Sequence, residues 1–293
     1  MTEQKYKFLS TPRRPVEDRR FVAGRGKFIA DLDRPNMLHV APLASHYAAA
    51  AINGIDASAA LAMPGVVDVI TGAELAAAVQ PLMNGLNTPN VRRFPLAVDR
   101  VRYAGEWVCA VVAESRALAE DALEKVIVDA TPQPFILDAE TALLDTSAPV
   151  HPEHGSNLLL DRKFVWGPVD DDFDAAAYSL SFSVTWGRNS TVPIETFGVL
   201  AEWNGWDQML DIWASIQMPK YADQIARSLD LPGNAIRVHY DVDVGGSYGV
   251  KRGIKHSVLV GYIARKLGCP VRLIEDRLEN MRAGDAHGPE RKF

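Results

Sequence analysis

The sequence predicts an α+β chain of two parts, and three observations carry that reading. The 293 residues suggest two domains rather than one. From residue 28 to residue 134, strand-like and helix-like runs alternate, whereas beyond residue 169 three strand-like runs follow one another before a helix. Between these halves Pro149, Pro152, Gly155, Gly167 and Pro168 interrupt any periodic pattern. The boundaries read from this are an N-terminal arm at 1–22, a first domain at 23–137, a linker at 138–168, a second domain at 169–281 and a polar tail at 282–293.

The arm is charged and interrupted by Pro12 and Pro15, so it is expected to be extended. Residues 37–41 and 49–52 read as strands, and 57–62 as a short helix that opens beside Ser58 and stops at Pro64-Gly65. A strand follows at 66–70. Thr71 and Glu74 have the spacing of a capping box, which predicts a helix from 72 to about 79. Asn84-Gly85 and several prolines make 81–100 a loop. The apolar run 107–113 reads as a buried strand, Ser115 as the cap of a helix over 116–124, and 125–129 as a returning strand. In the second domain 179–188, 196–203 and 209–215 read as antiparallel strands. A helix over 221–229 should stop at Pro232-Gly233. A strand over 235–242 and a helix over 254–267 flank a glycine-rich turn; Gly268 then caps the helix and 271–275 is a strand. The tail carries no packing signal.

Composition excludes several classes. With 47% hydrophobic and 23% charged residues the chain has the make-up of a soluble globular protein with a substantial core. The net charge of −6 and the lack of a basic run argue against a nucleic-acid partner. Cys109 and Cys269, the two cysteines, are too far apart in sequence to form a metal or iron–sulfur motif. Met1 to Arg20 has no apolar signal core, and no run approaches the ~20 apolar residues that cross a bilayer, so a cytoplasmic location is expected.

The most informative stretch is the glycine-rich turn at 243–251, Asp-Val-Gly-Gly-Ser-Tyr-Gly-Val-Lys. Glycine lets backbone approach a ligand, and a helix start offers unpaired N–H donors to an anion. The turn is not a P-loop, because Lys251 is followed by Arg252, and Ser247 breaks the dinucleotide pattern. A plain strand-to-helix turn therefore stands beside a binding loop. Gln217, at a strand end before Pro219, has an amide that can donate and accept. Glu195, between apolar neighbours, reads as an acceptor for backbone donors before it reads as a catalytic base. His151 and His154 lie in the linker and read as loop polarity, and Asp170-Asp-Asp172 as a solvated turn rather than a metal site.

In combination and order, these residues resemble the molybdopterin-binding subunit of the xanthine dehydrogenase and aldehyde oxidase family. The resemblance covers nearly the whole chain. Residues 14–28, 63–71, 101–108 and 119–122 look like the family's approach to and α/β hammerhead domain. Pro193-Ile-Glu195, Ser215-Ile-Gln217 and Gly245-Gly-Ser-Tyr-Gly249 look like the first half of its molybdenum-cofactor-binding α+β domain.

The resemblance implies that Gln217, Gly245, Gly246, Ser247, Tyr248 and Gly249 bind the cofactor, with backbone N–H groups facing the metal's oxo group and the pterin. The metal is held by the pterin, so no protein ligand to it is expected. The implied cofactor is molybdopterin in its cytosine dinucleotide form, with 2Fe-2S and FAD on partner subunits. Two substitutions depart from the family loop: Ser247 and Tyr248 stand where glycine and phenylalanine are usual. Arg252 replaces the substrate-binding glutamate of the purine-oxidising members, which argues against xanthine. Family members exceed twice this length, and their catalytic glutamate lies in the part without a counterpart here, so no catalytic residue is assigned to this chain. The expectation is one piece of a split subunit. It would be completed by a second molybdopterin-binding chain, an iron–sulfur subunit and a flavin subunit, and would oxidise an aldehyde or N-heterocyclic C–H bond with water as oxygen source. The alternative is a cofactor-free scaffold that retains the fold.

Overall fold

The structure is a computed structural model that describes residue 8 and residues 12–83, 91–144, 148–187, 191–283 and 290–292. The first part contains α1 (Asp18–Val22), β1 (Leu38–Ala44), β2 (Ala50–Asp56), α2 (Ser58–Leu61), β3 (Val66–Thr71) and α3 (Gly72–Ala78). It continues through β4 (Arg100–Val101), β5 (Trp107–Ala113), α4 (Arg116–Leu123) and β6 (Ile127–Pro132). The second contains α5 (Ala139–Leu144), α6 (Val169–Asp174), β7 (Val184–Trp186), β8 (Gly198–Asn204), β9 (Met209–Ala214) and α7 (Tyr221–Ser228). It ends with β10 (Ile236–His239), α8 (Lys255–Leu267), β11 (Val271–Ile274), α9 (Arg277–Ala283) and β12 (Glu290–Lys292).

Strands from both parts form one seven-stranded sheet in the order β10-β9-β8-β11-β1-β5-β3. All seven residues of β5 are buried between antiparallel β1 and β3, which is why its text is an unbroken apolar run rather than an alternating one. The join is β11, which lies parallel to β1 with Leu38 opposite Val271 and antiparallel to β8. Helix α4 packs on β1 and β5, and α8 on β8, β9 and β11. Ile70 and Trp107 from the first part share one buried core with Val199, Ile212, Val258 and Leu273 from the second. A separate three-stranded sheet, β4-β2-β6, covers the first part.

Local signals act as expected at the helix ends. Ser115 Oγ accepts from the Leu118 N–H at 3.2 Å, and Gly268 closes α8 in the left-handed region with its N–H on the Ala264 carbonyl. Thr71 Oγ1 accepts from the Glu74 N–H, but Glu74 does not complete the capping box. Its carboxylate instead takes Lys266 Nζ at 2.6 Å and the Tyr262 hydroxyl at 2.8 Å, so it ties α3 to α8.

The described residues correct four expectations. The strand expected over 179–188 is reduced to β7, and β7 pairs with β12 rather than with β8 or β9. The expected polar tail therefore contains a helix end and a strand, because a ladder joins backbone groups and needs no apolar side chains. The linker holds α5, whose start Asp138 supports by accepting from the Thr141 N–H. The strand expected to reach residue 242 stops at His239. The Asn84-Gly85 turn lies outside the described residues.

Leu273 is fully buried in the strand that joins the two parts. Leu273→Ala is expected to cost about 2–5 kcal/mol in denaturant unfolding. Because the sheet is shared, circular dichroism and tryptophan fluorescence should report one coincident, shifted transition; two separated transitions would contradict the coupling.

Candidate cofactor-binding site

The glycine loop sits between the end of β10 and the start of α8, as the sequence pattern predicts, with a single 3-10 turn at Val250–Arg252 interposed. Its geometry is set by Lys251, which is completely buried. The ammonium Nζ donates to Glu195 Oε2 at 2.6 Å, and the same oxygen accepts the Gly245 N–H at 2.6 Å. The Lys251 N–H donates to Ser247 Oγ at 3.2 Å, and its carbonyl accepts the Gln217 N–H at 3.2 Å. One residue thus fixes the start of the loop, its middle, and the segment after β9 that carries Gln217. Burial pulls the lysine's pKa down, and the carboxylate of Glu195 opposes that pull. Glu195 is accordingly the acceptor for a backbone donor that the sequence favoured.

Two glycines are required by close approach. A Cβ on Gly245 would stand 2.6 Å from the Glu195 Cβ, and so would displace the acceptor of the Gly245 N–H. Gly246 has φ 87, and a Cβ there would meet the Tyr248 ring at 3.1 Å. Tyr248 itself has φ 52, uncommon for an aromatic residue, and its side chain is largely exposed. Ser247 is buried. Its hydroxyl supports the turn through the Lys251 N–H, which gives a physical account of serine at this position.

Among the described residues, the N–H groups of Gly246, Ser247, Tyr248 and Gly249 meet no protein acceptor. Gly246, Tyr248 and Gly249 all lie in the left-handed region. Successive donors on such backbone form a concave nest for an anionic oxygen. This cradle fits an oxo- and phosphate-bearing group, and Gln217, exposed, is joined to the loop by its backbone N–H on the Lys251 carbonyl.

Three features escaped the sequence reading. Asp243, at the head of the loop, takes both guanidinium nitrogens of Arg20 and the Lys27 N–H, so the end of the arm expected to be extended is instead helical at α1 and docked through Arg20. His151 is not loop polarity: it is buried, bonded to Glu153, and its pKa is lowered by burial and by the nearby charges of Arg102 and Arg93. It lines a cavity of about 960 Å³ that also touches Gly249, Met218 and Arg252. The only sequence signals were the charges themselves, and charges in a loop have no period that reveals a partner. Asp170, Asp171 and Asp172 lie on the exposed helix α6. Cys109 is buried in β5, where burial pushes its thiol up to about 12, and Cys269 is half-buried; both are free thiols.

Removing one member of a buried pair leaves the other charge unpaired. Glu195→Ala should therefore cost about 3 kcal/mol or more in urea unfolding, and Glu195→Leu combined with Lys251→Met should recover part of it. Equal losses in the single and double variants would contradict the pairing. Arg20's hydrogen bonds hold the Asp243 carboxyl below its usual range. The docking they provide is complete above the unfolded value, about 3.9, and is lost as pH falls through the lowered one. Protection of residues 15–25 against hydrogen–deuterium exchange, taken relative to the intrinsic rate at each pH, should thus be high at pH 7 and fall only in acid. Arg20→Ala should remove it at both; unchanged protection in that variant would refute the docking.

Comparison with known proteins shows the family. The molybdopterin cofactor-binding domain family matches residues 150–292, and the aldehyde oxidase and xanthine dehydrogenase a/b hammerhead domain family matches residues 23–134. The nicotine 6-hydroxylase large subunit of Paenarthrobacter nicotinovorans is 35% identical over 275 residues, 92% of this chain and 33% of that protein. The carbon monoxide dehydrogenase large chain of Afipia carboxidovorans is 31% identical over 303 residues, covering 95% of this chain and 36% of that one. Quinoline 2-oxidoreductase from Pseudomonas putida 86 superposes with a TM-score of 0.82 at 35% identity, over 94% of this chain and 36% of its own. The chain thus spans about a third of the length of these relatives. From its hammerhead strands to its glycine loop, the chain belongs to the aldehyde oxidase and xanthine dehydrogenase family of molybdenum hydroxylases.

Proposed function

We propose that this chain provides part of the molybdopterin cradle of a multi-subunit molybdenum hydroxylase that oxidises an aldehyde or N-heterocyclic C–H bond. The observation that carries the reading is the run of N–H groups at 246–249 that, among the described residues, meet no protein acceptor, on a loop joined to the backbone of Gln217 through Lys251. Gln217, Gly245, Gly246, Ser247, Tyr248 and Gly249 are the residues that would hold the cofactor. Bound there, the molybdenum–pterin group supplies a two-electron oxidising centre, with water as the oxygen source.

The chain's own contribution is electrostatic and positional. Fixed N–H dipoles stabilise oxyanions without reorganising at the moment of reaction, provided the backbone that carries them cannot relax. The buried Lys251–Glu195 pair supplies that rigidity. Glu195 is committed to Lys251 and Gly245 and is not offered as the base; the catalytic glutamate would come from another chain. A second molybdopterin-binding portion, an iron–sulfur subunit and a flavin subunit complete the proposed assembly, with the cytosine dinucleotide as the proposed cofactor form. Among the described residues no helix is long and apolar enough to cross a membrane.

The test is molybdenum and pterin analysis of the complex co-purified with this chain. Wild-type complex should contain both. Gly246→Val, which cannot adopt the loop conformation, should lose both; Gln217→Ala should retain them while kcat falls about 100-fold, the order for removing one oxyanion donor. A complex without molybdopterin, or variants that change neither cofactor content nor turnover, would favour a scaffold instead.

A further inference from the structure

Glu195 can hold the glycine loop only if its own backbone is held, and residues 191–197 belong to no helix or strand. The turn that follows β11 grips them instead. Arg277 Nη2 donates to the Pro193 carbonyl at 2.7 Å and to the Ile194 carbonyl at 2.9 Å, the two acceptors immediately before Glu195. On the other side, the Thr196 hydroxyl donates to the Glu275 carbonyl at 2.6 Å, and the Glu275 N–H donates to the Phe197 carbonyl at 2.9 Å. The carboxylate of the clamp is thus bracketed by the two residues before it and the two after it.

The gripping turn is anchored in its own right. Glu275 and Asn280 are buried, and both oxygens of the Glu275 carboxylate are occupied: Oε1 lies 2.6 Å from His256 Nε2, and Oε2 accepts from Asn280 Nδ2 at 2.8 Å. Asn280 Oδ1 in turn takes Arg277 Nη1 at 3.4 Å, and the His256 ring stacks on Phe197 at 4.0 Å. A buried polar network with its members partnered favours one arrangement over many. Its charges also reach the clamp. The Lys251 ammonium, pulled down by burial and supported by Glu195, feels Glu275 and Arg277 through space.

We propose that Arg277 is a positioning residue for the cofactor cradle: through the Pro193 and Ile194 carbonyls it sets where Glu195 meets Lys251 and Gly245, and so where the 246–249 backbone lies. A guanidinium suits this task, because its planar fork serves two adjacent carbonyls and the Asn280 side chain in a preset geometry that a flexible ammonium lacks. The assignment rests on the proposed function only in calling 246–249 a cradle; the contacts stand without it.

Hydrogen–deuterium exchange of the chain without cofactor tests the assignment, so its failure and a failure to find molybdopterin in the complex are separate results. Arg277→Ala should lower the protection of residues 243–251 about tenfold, the order for losing a hydrogen bond to a charged group, while residues 107–113 of β5 keep theirs. In a Glu195→Gln background the same substitution should change loop protection by less than about twofold, because the carboxylate through which the arginine acts is already gone. A purely structural arginine would give the same loss in both backgrounds, and that result would overturn the assignment. So would no loss in Arg277→Ala, or an equal loss at 107–113. Arg277→Gln, a milder truncation, goes through the same comparison, so that poor folding of the alanine variant still leaves a decision.

Discussion

A single buried charge organises the site. The Lys251 ammonium is out of contact with water, and such a charge persists only where an anion and further hydrogen bonds compensate its desolvation. Glu195 supplies the anion and in doing so also holds Gly245. The lysine's own backbone then holds Ser247 on one side and Gln217 on the other. Among the described residues the N–H groups of 246–249 meet no protein acceptor, so the clamp holds the loop while leaving those donors open.

This clamp works because its parts arrive on rigid elements. Glu195 and Ser215 flank β8 and β9, and Lys251 precedes α8, which packs on both strands. The sheet extends through β11 into β1 and β5, so the first part of the chain braces the second rather than merely preceding it. Trp107 on β5 meets the ring of His256 on α8 edge-on at 4.9 Å, and Lys255 lies over the same indole. The helix that carries the loop is in this way seated against both halves.

Much of the fold was legible because its causes are local. The buried run of β5, the Ser115 cap, the helical spacing of α8 and its glycine terminus are each written within a few residues. The glycine loop was legible as a loop, and its likeness to a known family named its residues. What was not legible depends on distance. Lys251 and Glu195 are 56 residues apart, and Arg20 and Asp243 are 223 apart, so no window of sequence contains either pair. The β7–β12 ladder was hidden for a different reason: backbone pairing leaves no side-chain pattern in a polar strand. Glu74 shows the limit of a local rule, since a tertiary lysine competed successfully for the carboxylate that the cap would have used.

The central claim is that the clamped backbone at 246–249 faces the metal group. The most direct measurement is a crystal structure of the molybdenum-loaded complex with an anomalous difference map at the molybdenum absorption edge. The account predicts that the oxygen ligands of the located metal lie within hydrogen-bond reach of the 246–249 N–H groups and the Gln217 amide. A molybdenum peak remote from this loop, or a loop whose N–H groups are satisfied by a neighbouring chain's backbone instead, would contradict it.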